Sequence, residues 1–118
     1  MDRRVVYLKE KFSKDLRHQW KIEEMAKLVN VTVSHLQKVV KDELDISPLQ
    51  FLRYLRLEKA RHLLETTFKN GKEIRIEVGI GDSSHFVKYF KERYGVTPSE
   101  YRRQHWAKIE NEKDNASK

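Results

Sequence analysis

Two groups of side chains, the second repeating the first fifty residues later, have the make-up of a binding surface. Ser34, His35, Gln37, Lys38 and Lys41 form one, and Ser84, His85, Val87, Lys88 and Lys91 the other. Hydroxyl, amide and ammonium groups on one face donate hydrogen bonds and meet anions, which is the chemistry of phosphates and base edges. Covalent or metal chemistry finds no footing. The histidines at 18, 35, 62, 85 and 105 show neither His-x-x-x-His nor His-Glu-x-x-His spacing. Adjacent carboxylates such as Glu23-Glu24 and Asp42-Glu43 diverge on a helix and cannot converge on a substrate. No glycine-rich phosphate loop occurs. The chain has no cysteine, which excludes disulfides, thiolate zinc sites, iron–sulfur clusters and a thiol nucleophile. No enzyme, cofactor or metal is expected.

The totals agree. A chain of 118 residues holds one domain or two small lobes sharing an element. Lysine and arginine number 25 against 18 acids, a net charge of +7. A basic balance of this size points to a polyanionic partner, with nucleic acid leading. Mean hydropathy is −0.82, and charges interrupt every apolar stretch before membrane-spanning length. The opening residues carry no apolar leader-like run, so the expected setting is cytoplasmic, with no membrane contact.

The elements that must position these side chains read as helices. Val5, Leu8, Phe12 and Leu16 make one stripe, predicting a helix over Val5–Leu16. A second covers Ile22–Val29, with Trp20 and Met25 at hydrophobic-staple positions. Asn30 suits the left-handed turn that closes it. Thr32 caps a helix to Leu44. Ser47-Pro48-Leu49-Gln50 is a capping box opening a long helix to Thr66, about 28 Å at 1.5 Å per residue. Its leucines cover several sides, as in a strut between two lobes. A short helix over Glu73–Val78 follows. Asp82 caps a helix to Tyr94, Gly95 ends it, and Thr97-Pro98-Ser99-Glu100 opens a last helix near Tyr101–Trp106. Residues 111–118 read as a polar, frayed tail.

The chain is written twice. A constant offset of 50 pairs Thr32 with Asp82, Ser34 with Ser84, His35 with His85, Lys38 with Lys88, Lys41 with Lys91, Ser47 with Thr97, Pro48 with Pro98 and Phe51 with Tyr101. Before the turn the offset is 49, because the second turn is one residue longer. In each copy the second helix splits into two faces. Leu36, Val39 and Val40 oppose Ser34, Gln37, Lys38 and Lys41; Phe86, Tyr89 and Phe90 oppose Ser84, Val87, Lys88 and Lys91. Neither polar face is expected to carry a carboxylate.

At Thr32–Lys41, Ser47-Pro48, Arg56-Leu57, Ala60 and Leu63-Leu64, and again at Gly79, Asp82, Ser84–Lys91 and Gly95–Arg102, the chain resembles the DNA-binding domain of the AraC/XylS family of bacterial transcription regulators. The resemblance implies an all-α fold of about seven helices, with two helix-turn-helix lobes joined by a long central helix. Lobe one is expected over 5–46, the linker helix over 47–66 and lobe two over 72–106, within a DNA-binding domain of 1–110. It further implies that helices 33–44 and 83–94 read successive major-groove segments of double-stranded DNA, sequence-specifically, to regulate transcription. A strut of about 28 Å plus lobe width fits reading heads one DNA turn apart, roughly 34 Å. Three positions depart from the family. Arg75 stands where the family has a small alanine and the first copy has Ala26, Ile80 replaces a phenylalanine, and Val40 replaces an aromatic. An arginine at a helix crossing must snorkel outward or spread the lobe, so the first lobe is expected to read more strongly than the second.

Ser34, Gln37, Lys38, Ser83, Ser84, Val87 and Lys88 are expected at base edges, with Gln37 suited to adenine, Lys38 to guanine and Val87 to a thymine methyl. His35, Lys41, His85, Lys91 and Arg102 are expected at phosphates. Arg56 on the long helix reads as an internal ion-pair residue. RNA polymerase, and an effector or dimerisation domain in a longer chain, are the further partners. Non-specific architectural nucleic-acid binding and a helix-face protein-interaction module stay open as alternatives.

Overall fold

The computed structural model describes residues 1–116, with side chains described through residue 113. Among them are seven helices and no strand: α1 (Arg3–Lys14), α2 (Ile22–Leu28), α3 (Val33–Leu44), α4 (Pro48–Thr66), α5 (Gly71–Val78), α6 (Ser83–Tyr94) and α7 (Pro98–Ala116). None is long and apolar enough to cross a membrane. The chain divides into two compact units, Met1–Arg56 and Leu57–Lys118, so the boundary falls inside α4. The linker helix expected between lobes is therefore shared. Phe51, Leu52 and Leu55 belong to the first core, and Leu57, Ala60, Leu63 and Leu64 to the second. The apolar stripe changes azimuth between Leu55 and Leu57, which is why the helix reads as greasy on several sides. Leu49 stands outside both cores, 53% exposed.

In the first unit, α1 starts earlier than its apolar stripe suggests, because Asp2 caps it by accepting from the Arg4 amide at 2.8 Å. Val5, Leu8 and Phe12 are buried beneath it. Trp20 lies edge-on to Phe12, 5.2 Å between ring centres, and its indole N–H donates to the Asp15 carbonyl. Among the described residues Arg56 pairs with no carboxylate. It donates to the carbonyls of Leu16 and His18, at 3.0 and 2.9 Å, and ties the α1–α2 connection to α4.

The second unit repeats the first at the level of single bonds. Asn30 and Gly79, one per turn, take positive φ (56° and 86°). The amide of Val31 donates to Ala26, and that of Ile80 to Arg75, at 3.0 and 3.1 Å. The turn geometry thus survives Arg75, whose guanidinium snorkels to the Ile80 carbonyl at 2.9 Å. The extra residue of the second turn is Gly81, exposed and with no atom within 4 Å of a Cβ built on it. Thr32 and Asp82 cap α3 and α6 by accepting from the amides of His35 and His85, at 3.1 and 2.9 Å. Both capping boxes form, Ser47 with Gln50 and Thr97 with Glu100. A third, Asn70 with Glu73, opens α5 two residues before the predicted start. The repeat also carries the last helix further than expected. At the 50-residue offset, Pro48–Thr66 maps onto Pro98–Ala116, and α4 and α7 are 19 residues each. Residues 111–116, expected as frayed tail, are helical. The rest of that expected tail, 117–118, lies outside the described residues.

Two expectations follow from this backbone. Asp45 and Gly95 occupy matching left-handed positions, φ 61° and 82°, at the ends of α3 and α6. Gly95→Ala meets no steric obstacle yet strains the backbone, and should cost about 1 kcal/mol, whereas Asp45→Gly should be neutral or slightly stabilising. Urea midpoints of the two variants moving in the same direction would contradict this. The second expectation concerns acid. The His85 amide holds Asp82 below the usual carboxylate range, and Thr97 does the same to Glu100. Carboxylates depressed by folding stabilise the protein above their unfolded pKa and lose that contribution as pH falls through the folded value. Denaturant midpoints should be flat from neutrality to about pH 5 and decline below it.

Candidate nucleic-acid interface

In the first unit α3 buries Leu36, Val39 and Val40, which turns its opposite face to solvent. Ser34, His35, Gln37, Lys38 and Lys41 are all exposed there. The face is less free of acid than the sequence suggests. Asp42 Oδ2 lies 3.7 Å from Lys38 Nζ, and Asp45 Oδ1 3.1 Å from Lys41 Nζ. A residue four positions on comes alongside on a helix, and both acids follow that spacing. The four side chains are 63–92% exposed, so each pair contributes at most about 1 kcal/mol, and a phosphate can displace it. One cation was not singled out by sequence. Arg4 of α1 places Nη1 3.1 Å from His35 Nε2. Asp2 holds Arg4 in place through Oδ1 and Oδ2, at 3.1 and 2.8 Å. Those hydrogen bonds from Arg4 lower Asp2 to about 2. The two residues are 31 positions apart, and no local pattern links them.

In the second unit α6 buries Phe86 and Phe90 and exposes Ser83, Ser84, His85, Val87, Lys88 and Lys91. Lys88 Nζ lies 5.7 Å from the Tyr89 ring centre, a contact a cation keeps at little cost. Among the described residues neither Lys88 nor Lys91 forms an ion pair. Beside the start of α6 is a hollow of about 490 Å³, bordered by Lys72, Arg75, Ser83, Phe86 and Val87. Beside the start of α3 an open hollow of about 570 Å³ is bordered by Lys27, Asn30, Thr32 and His35. α3 and α6 thus each sit next to a concavity of their own unit that has a lysine on its border.

Arg102, expected at a phosphate, is used differently. Its guanidinium donates to the carbonyls of Leu63, Leu64, Thr67 and Lys69, at 2.5–3.4 Å. These carbonyls end α4 and begin the loop to α5, so Arg102 caps a helix C-terminus from a distance. Its side chain is half-buried, while the neighbouring Arg103 is exposed. Arg102→Ala should therefore lower stability by about 1.5–3 kcal/mol, and Arg103→Ala by less than about 0.5. Equal effects in chemical denaturation would return Arg102 to the surface.

Seven helices with a duplicated turn and paired exposed polar helix faces define a double helix-turn-helix domain. A family model described as a helix-turn-helix domain matches residues 25–104. The transcriptional regulator MtrA of Neisseria gonorrhoeae is 31% identical over 103 residues, 87% of this chain and 34% of its own length. Among solved structures, the C-terminal domain of AraT, a response regulator of Geobacillus stearothermophilus, is 32% identical with TM-score 0.79, covering 87% of this chain and 86% of that one. The DNA-binding domain of AdpA, solved in complex with a target DNA, is 21% identical and shares the fold at TM-score 0.82, over 88% and 94% of the two chains. The chain belongs to the AraC/XylS family of helix-turn-helix transcription regulators. It spans about a third of the length of the curated relatives it matches.

Proposed function

We propose that the chain binds double-stranded DNA sequence-specifically and regulates transcription, with α3 and α6 each presented to a major-groove segment. The observation that carries this reading is the same division of faces in both units, apolar side buried and hydrogen-bonding, cationic side exposed. Charge supports it in each unit separately. Met1–Arg56 holds 12 lysines and arginines against 8 acids, and Leu57–Lys118 holds 13 against 10. AdpA's domain, of the same fold, is seen on its target DNA. Ser34, Gln37 and Lys38, with Ser83, Ser84, Val87 and Lys88, take base edges; His35, Lys41, His85 and Lys91 take phosphates. Arg4 joins that second group through His35. The bond from Arg75 to the Ile80 carbonyl, which leaves the turn as in the first unit, supports a reading role for the second unit too. RNA polymerase on the promoter, and an effector or dimerisation domain in a longer regulator, complete the proposal, and the setting is the cytoplasm.

Affinity for a preferred site should fall steeply with salt, by a slope of about 0.9 per phosphate contact on logarithmic axes. Lys41→Ala should reduce that slope by about 1 and weaken all sequences alike, while Lys38→Ala should cost about 1–3 kcal/mol of discrimination at one base pair. Titrations against a panel of single-base variants at several salt concentrations check both. A flat salt response or equal affinity for every duplex would refute the reading. Identical behaviour of the two variants would refute the division of roles.

A further inference from the structure

Glu58, Arg61 and Glu65 follow one another at spacings of three and four and share one face of α4. Arg61 donates through Nη2 to Glu58 at 3.2 Å and through Nη1 to Glu65, joining the two carboxylates. Each carboxylate also receives a tyrosine. Tyr94, the last residue of α6, donates to Glu58 Oε1 at 2.6 Å, and Tyr101, in the first turn of α7, donates to Glu65 Oε2. Arg93 Nη2 stands 3.9 Å from the same Glu58 oxygen. Burial alone would raise both carboxylates, but the tyrosine and arginine hydrogen bonds outweigh it and leave both below the ordinary range. Burial first, and the carboxylate next, raise Tyr94, so its hydroxyl stays a donor. All six groups belong to the second unit.

The first copy of the repeat has nothing equivalent. Leu44 stands at the position matching Tyr94 and Phe51 at that matching Tyr101. Apolar contact fills space without direction, so it limits how close a helix lies more than how it is rotated. Hydrogen bonds demand both a length and an angle. The end of α6 is therefore pinned in rotation and along its axis, and a rigid helix of 12 residues carries that placement back to Lys88, Val87 and Ser83.

We infer that the Glu58–Arg61–Glu65 cluster is a positioning device for the second recognition helix, and that through Tyr94 it sets which bases Val87 and Lys88 reach. This rests on the DNA-binding reading above. It makes base discrimination in the second unit depend on residues that touch no DNA.

The test uses the full chain and duplex oligonucleotides drawn by it from a random pool, together with all single-base variants of the preferred site. Base pairs whose discrimination changes in Gln37→Ala belong to α3, and those that change in Val87→Ala belong to α6. Tyr94→Phe keeps the ring against Phe90, at 4.6 Å between centres, and removes only the hydroxyl. Arg61→Lys keeps the charge but offers no planar fork to bridge two carboxylates. Both variants should lose at least about threefold of discrimination at the α6 base pairs, out of the roughly 5- to 150-fold that one good base contact supplies. Discrimination at the α3 base pairs and the salt slope should be unchanged. Binding is read well below the unfolding midpoint, so a purely structural cluster would lower that midpoint and leave discrimination intact, which overturns the inference. Loss spread evenly over both sets of base pairs overturns it as well. A wild-type chain that prefers no duplex sinks the DNA reading and this inference together. A selective wild type with unaltered variants sinks this inference alone.

Discussion

The division of α3 and α6 into a buried and an exposed face is the constraint on which the rest of the molecule depends. Leu36, Val39 and Val40 sit in one core, and Phe86 and Phe90 in the other. Burying side chains of this size is worth about 1.5–3 kcal/mol each. Rotating either helix by half a turn would forfeit most of that and bury ammonium groups without partners, which costs more. The polar faces are therefore outward by necessity, and their content decides what the surface meets. The caps and turns serve the same end. Thr32 and Asp82 set where each helix starts, and the bonds from Val31 to Ala26 and from Ile80 to Arg75 set the angle at which it leaves its predecessor.

Much of this is legible in the sequence because it is local. A cap, a capping box and a positive-φ residue are each settled within four positions of chain, and Thr32, Ser47, Asp82, Thr97, Asn30 and Gly95 all behave as their types suggest. The exposed base-edge candidates follow from helical periodicity alone. What sequence reading misses is mostly long-range. Arg56 and Arg102 look like surface or ion-pair arginines because carbonyl oxygens 33 to 40 residues away leave no trace in residue type. Arg4 beside His35 is hidden for the same reason. The acids flanking Lys38 and Lys41 were in view, yet they fall four residues beyond the lysines, past the part of the helix taken as the face. The length of α7 is a different kind of miss. Its polar composition suggests fraying, while the repeat, carried through to its end, assigns it the same 19 residues as α4.

The two copies share geometry and differ in how they hold it. In the first unit, carboxylates sit beside Lys38 and Lys41 and the helix end is closed by leucine and phenylalanine positions. In the second, the lysines stand without ion pairs among the described residues and the helix end is bound by tyrosines to a charged cluster. The two frames are equivalent in backbone, and side-chain chemistry separates them.

The unequal turns have a practical corollary. Gly81 is the one residue present in the second connection and absent from the first, and it lies after the hydrogen-bonded turn and before the Asp82 cap. The chain therefore already contains a natural experiment in lengthening, made at a spot where slack is absorbed without disturbing either neighbour. A short foreign loop or a fluorescent label could be grafted there with both flanking helices left as they are.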